Sequence, residues 1–166
     1  MRDSPMPLSY LVICVAEFCT GVALHEAGHA IVGRSYGVDA EASLYMAHGA
    51  LGGCTEYHGK DFTEHEFKIV ALAGSAAAAL WQRPNVTAEE LIEEKWVPTP
   101  RDATDAGNFN TADLAGCLEI IRSHWGEVEA EAALLLQNFL GVRKEATGTF
   151  DVRALLLPGD ESPIDE

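Results

Sequence analysis

His25, Glu26 and His29 stand in the order His-Glu-x-x-His, inside the segment Val22-Ala23-Leu24-His25-Glu26-Ala27-Gly28-His29-Ala30-Ile31-Val32. On a helix, residues four apart share a face. Both imidazoles can then reach one zinc ion at ~2.0–2.1 Å. Glu26 directly follows the first of them. It would lie near a metal-activated water without binding the metal, and it can take that water's proton as general base and later pass it to a leaving amine. An ion held this way lowers the pKa of its water to ~7 and polarises a carbonyl. Gly28 in mid-helix costs about 1 kcal/mol relative to Ala, and the close approach of another backbone would offset that cost. A five-residue pattern also arises by chance on a solvated helix turn. The small residues around the pair and the apolar approach to it favour the metal reading.

Two histidines do not complete the site. A catalytic zinc takes three protein ligands and keeps one position open. His48, His58, His65 and His124 have no context that singles them out. His48 and His58 flank a strand-like region and could line a cleft, but each reads more simply as a surface or core histidine. The carboxylates between 102 and 113 are better candidates, and each of these also reads as a helix cap or a solvated acid.

The elements that must position these groups are mostly helical. Residues 9 to 16 could be strand or helix, since an apolar run of that length has no deciding period. Thr20 offers an N-cap for the motif helix, which runs to about Tyr36 and stops at Gly37. Ala42–Ala47 and Leu51–Tyr57 read as two short strands, with Gly49 and Gly52-Gly53 supplying turn or bulge geometry. Thr63-Glu64-His65-Glu66 and Thr87-Ala88-Glu89-Glu90 are capping boxes. The first opens a helix whose small residues from Ala76 predict close packing on another helix. The second opens a short helix to about Trp96. Pro98 and Pro100 then predict a break and a loop to about Thr104. Helices follow at roughly 106 to 123 and from Glu127 to Ala146, then a short element from Phe150 to Leu157. Strands and helices do not alternate, so a doubly wound sheet is not expected. The expected fold is mainly α with a small β-sheet (α+β), in one domain over 1–157, followed by an acidic, mobile tail over 158–166.

Composition limits the partners. The chain's 166 residues suit one domain. A net charge of −15 without a Lys/Arg cluster argues against nucleic-acid binding. The stretch Leu8–Phe18 is shorter than the ~20 residues a membrane span needs, and it lacks the flanks of a signal peptide. Cys14, Cys19, Cys54 and Cys117 form no Cys-x-x-Cys pair and read mostly as buried thiols. A cytoplasmic location is expected.

His25-Glu26-Ala27-Gly28-His29-Ala30 is the hexapeptide of the FtsH-type ATP-dependent zinc metalloproteases, and the chain resembles their protease domain. Ala50-Leu51-Gly52-Gly53-Cys54-Thr55 is similar to that family's Ala-Leu-Gly-x-Thr edge strand. Leu72-Ala73-Gly74-Ser75-Ala76-Ala77 is similar to its Leu-Gly-Gly-Arg-Ala-Ala helix, and Thr149-Phe150-Asp151 to its Thr-Leu-Asp element. The resemblance implies a zincin-like metallopeptidase with one zinc per chain. It also implies a third ligand from an Asp at the start of a later helix. By position that Asp is Asp105, with Asp113 and Asp102 as alternatives. The chain departs from the family in having no Gly-x-x-x-x-Gly-Lys-[Ser/Thr] phosphate loop and no transmembrane helix. Ser75 stands in place of the family's Arg, and the helix from Thr87 has no family counterpart. The implied substrates are peptides or unfolded proteins, with no ATP bound by this chain; a homo-oligomer or a separate ATPase partner is compatible. Two other classes stay open: a non-catalytic zinc module with His48, His58 or Cys54 as fourth ligand, and an amide hydrolase acting on a small molecule. A closed pocket would favour the small molecule, and an open groove along the edge strand a peptide.

Overall fold

The structure is a computed structural model that describes residues 8–140, with side chains from Glu17 onward. Its described part is mainly helical with one small antiparallel sheet, an α+β arrangement. Helix α1 (Leu8–Ser35) carries the His-Glu-x-x-His motif. It does not start at Thr20: the helix runs unbroken through residues 9 to 16, and Thr20 is buried within it. It ends where expected. Gly37 takes φ +78° and donates to the Arg34 carbonyl, a backbone conformation that glycine adopts without strain.

Strands β1 (Asp39–Ala47) and β2 (Ala50–His58) form a hairpin in which Asp39 pairs with His58 and Ala47 with Ala50. His48 and Gly49 make the turn, both with positive φ (51° and 77°), as a two-residue hairpin loop of matching twist requires. Alternate β2 residues Gly53, Thr55 and Tyr57 lie against α1, through Glu26 and Gly33. Among the described residues no third strand pairs with β2.

Helix α2 (Glu64–Gln82) opens with the expected capping box, Thr63 and Glu66 exchanging bonds of 2.8 and 3.2 Å. Its small residues pack on α1. A Cβ on Gly28 would meet the Ala73 carbonyl oxygen and the Ala77 Cβ, each at 2.7 Å. That approach offsets the helix-propensity cost of Gly28, and a side chain of any size there would push the two helices apart. Around this contact lie fully buried Ala23, Leu24, Ala27, Leu72, Ala73 and Ala76.

Helix α3 (Ala88–Glu93) starts at the Thr87 capping box and ends sooner than the sequence suggests. Pro100 does not prolong a loop. It occupies the first turn of α4 (Pro100–Ala106), where its missing N–H costs nothing, with Thr99 as N-cap. Gly107 at φ +60° ends α4. Helix α5 (Thr111–Ser123) begins at a third capping box, Asn110 with Asp113, and α6 (Trp125–Leu140) follows. Arg34, at the end of α1, grips Glu131 of α6 with two bonds of 3.0 Å and also donates to the Ala40 carbonyl of β1. That bidentate pair ties motif helix, hairpin and last helix together.

Cys19 and Cys117 are buried and Cys54 is exposed, all three as free thiols. Among the described residues, no helix is long and apolar enough to cross a membrane. The expected extension of the last helix to Ala146, the element at Phe150–Leu157, the tail after Pro158 and the Thr149-Phe150-Asp151 similarity lie outside the described residues.

Candidate metal centre

Three side chains converge where α1, α2 and α4 meet. His25 and His29 project from one face of α1, and their Nε2 atoms lie 3.2 Å apart. Asp102, in the first turn of α4, brings Oδ2 to 3.5 Å from His25 Nε2 and Oδ1 to 3.3 Å from His29 Nε2. A tetrahedral ion with bonds of ~2.0–2.1 Å separates its ligands by roughly 3.3–3.5 Å. The two imidazole nitrogens, and each carboxylate oxygen with its nearer imidazole, lie close to that spacing, so the three groups could hold one divalent ion. Among the described residues this is the group able to hold a metal ion.

The tautomer of His29 suits the role. Its Nδ1–H donates to the Val70 carbonyl at 2.8 Å. The neutral ring then presents the lone pair of Nε2 to the site, the usual arrangement of a metal-binding histidine. Backbone space also matters. Gly74 of α2 faces the two rings. A Cβ there would lie 2.7 Å from His25 Nε2 and in still closer contact with His29 Nε2. Only glycine leaves the ligand atoms room.

Electrostatics follow from burial. Asp102 is buried. Burial alone would raise its pKa, but hydrogen bonds and charge from His25 and His29 reverse this and hold the carboxyl far below the usual range. His29 shows the mirror pattern. Burial lowers its pKa, and the hydrogen bond and charge of Asp102, with the Val70 carbonyl and the Glu26 charge, carry it above 6.5 in the metal-free chain.

Glu26 is buried beside this centre. The Thr55 hydroxyl donates to Glu26 Oε2 at 2.9 Å and lies 3.2 Å from the Glu26 backbone carbonyl oxygen. Gly53 of β2 lies against the same side chain: a Cβ there would come within 2.8 Å of Oε1 and closer still to Cγ. The hairpin thus holds the carboxylate in one place. Tyr57 packs over Gly33, and its phenol is pushed up by burial and then by the charges of Glu26, Asp102 and Asp105.

An open groove of about 830 Å³ runs past His25. Phe18, Val22 and Trp81 line one side, and Leu51 and Gly52, at the start of β2, lie at the other.

The structure brings together His25, Glu26 and His29 as the sequence suggests, but the third acid differs. Asp105, the expected ligand, lies one helical turn beyond Asp102. It is exposed and paired with Arg101 at 3.6 Å. Asp113 is the third residue of α5 and bonds the Asn110 backbone at 3.0 Å, with Lys68 and His65 as ion partners at 3.8 and 3.6 Å. Asp102 was the remaining alternative. Reading Thr99-Pro100-Arg101-Asp102 as N-cap, N1 proline and N3 acid would have found the helix start that delivers it. His48 sits in the hairpin turn, His58 pairs with Glu56 on the exposed end of β2, and Cys54 meets Ser43 at 3.2 Å; none joins the centre as a fourth ligand. Gly74 and Thr55 lie in stretches compared with the family, where neither had been given a role; burial contacts alone reveal what they do.

Comparison with protein-family models, with curated proteins and with solved structures finds no significant match to this chain.

Proposed function

We propose that this chain is a zincin-like, zinc-dependent metallopeptidase, similar to the protease domain of the FtsH-type enzymes. One observation carries the reading: His25, His29 and Asp102 converge as a group that could hold one metal ion, with an immobilised carboxylate, Glu26, alongside. A bound zinc would supply a Lewis acid that polarises a substrate carbonyl and acidifies water. Glu26 takes the proton of the attacking water as its oxygen bonds to the carbonyl carbon. It then delivers that proton to the amide nitrogen as the C–N bond breaks. Thr55 keeps the carboxylate oriented through both transfers. The open groove beside His25 and the edge of β2, which no other strand among the described residues pairs with, suit an extended peptide, which can add to a strand edge by main-chain hydrogen bonds. Substrates are therefore peptides or unfolded segments.

The test is hydrolysis of casein-derived peptides by the full chain loaded with zinc, beside Glu26→Gln. Wild type is expected to cleave. The variant is expected to keep its zinc and lose ~10²–10⁴-fold in rate. Equal cleavage by both, or zinc bound by both with no peptide cut, refutes the peptidase reading.

A further inference from the structure

We propose that Ser75 is a positioning residue that commits one oxygen of Asp102 to hydrogen bonding and leaves the other to the metal; the inference rests on the metal centre described above. The Ser75 hydroxyl donates to Asp102 Oδ2 at 2.5 Å, and the Ser75 backbone N–H points to the same oxygen at 3.2 Å. Each carboxylate oxygen lies near one imidazole, Oδ2 at 3.5 Å from His25 Nε2 and Oδ1 at 3.3 Å from His29 Nε2, but both Ser75 donors fall on Oδ2 and neither on Oδ1. A carboxylate can bind a metal through one oxygen or through both. Two hydrogen bonds on Oδ2 occupy its lone pairs and lower its donor strength, so Oδ1 becomes the metal-binding atom.

The consequence concerns the open position. A carboxylate bound through both oxygens, with two histidines, fills four places. Bound through one, it leaves the fourth for water or a substrate carbonyl. Ser75 is well placed to enforce that difference. It lies in the buried face of α2, directly after Gly74, whose backbone abuts both imidazoles. Its hydroxyl also accepts the Thr99 N–H at 2.9 Å, which anchors the residue that caps α4 and so fixes where Asp102 begins. One serine thus joins the helix that abuts the histidines to the helix that carries the acid.

The experiment uses the full chain with cobalt(II) as spectroscopic probe and zinc for affinity, on wild type, Ser75→Ala and Ser75→Thr. Wild type is expected to give the intense visible absorption of four-coordinate cobalt. Ser75→Ala should weaken that absorption as the second oxygen binds, and lower zinc affinity by ~10–100-fold. Ser75→Thr, which keeps the hydroxyl, should keep the wild-type spectrum. A Ser75→Ala spectrum and affinity equal to wild type, or the same change in Ser75→Thr, overturns the inference. A crystal structure of the zinc-loaded wild type decides the matter without any variant: Oδ1 at the ion with Oδ2 on Ser75 supports it, and both oxygens at the ion overturn it. Wild type that takes up neither ion overturns the metal centre itself, and this inference with it, whereas zinc bound through both oxygens overturns the inference alone.

Discussion

Gly74→Ala should abolish tight metal binding without removing a ligand and with little effect on the metal-free fold. The new Cβ would stand 2.7 Å from His25 Nε2 and closer to His29 Nε2. Non-bonded heavy atoms need about 3.5 Å, so a ring must retreat by roughly 0.8 Å. A metal–ligand bond tolerates ~0.2 Å. The displacement is about four times what the bond allows, so at least one imidazole leaves the set. Stability of the metal-free chain should change far less. Ala gains about 1 kcal/mol over Gly in a helix interior, while turning a histidine off its preferred rotamer costs ~0.5–1.5 kcal/mol. These nearly cancel. The assay pairs chelator-competition titration of zinc with urea unfolding of the metal-free protein. The expected result is a loss of more than ~100-fold in zinc affinity with unfolding free energy within ~1 kcal/mol of wild type. Wild-type affinity in Gly74→Ala would refute the placement of the two rings against α2.

Two further outcomes follow from the same geometry. Gly53→Ala places a Cβ against Glu26, 2.8 Å from Oε1; zinc affinity should hold while peptide hydrolysis drops by at least ~10-fold, as expected for a displaced general base, and unchanged hydrolysis would show that the hairpin does not set the base. Zinc affinity should fall as pH is lowered from about 8 to 6. In the metal-free chain burial opposes, and Asp102 outweighs it, so His29 has a pKa above 6.5; its contribution to the metal-free fold is therefore full below 6.5 and fades as pH rises through the raised value. The ion needs the neutral ring, so its binding is weakened from that raised value downward, and a flat affinity over this range would contradict the assignment.

Much of this was legible in the sequence because it depends on local chemistry. The His-Glu-x-x-His spacing defines a helical face, Thr63 and Thr87 announce their helices through Glu three residues on, Gly37 marks a helix stop and Gly49 a turn. Gly28 was readable as a close approach because a mid-helix glycine otherwise only costs stability. The third acid was not legible in the same way. Asp102 and Asp105 are three residues apart, on one short helix, and which of them faces α1 depends on where that helix begins. Two prolines so close together suggested an interruption, yet Pro100 is a helix-starting proline behind the Thr99 cap. The run over residues 9 to 16 was equally ambiguous, since its apolar side chains suit a strand or a helix until the unbroken α1 shows which. Ser75 lay beyond sequence reasoning, because its worth comes from a contact with a residue 27 positions away.

Metal content of the purified full chain after zinc loading and desalting, compared between wild type, Asp102→Ala and Asp105→Ala, tests the central claim most directly. The account predicts about one zinc per chain in wild type and in Asp105→Ala, and loss of stably bound zinc in Asp102→Ala, since two histidines alone make an incomplete catalytic set. A wild-type chain that retains no zinc, or an Asp102→Ala chain that retains as much as wild type, would contradict it.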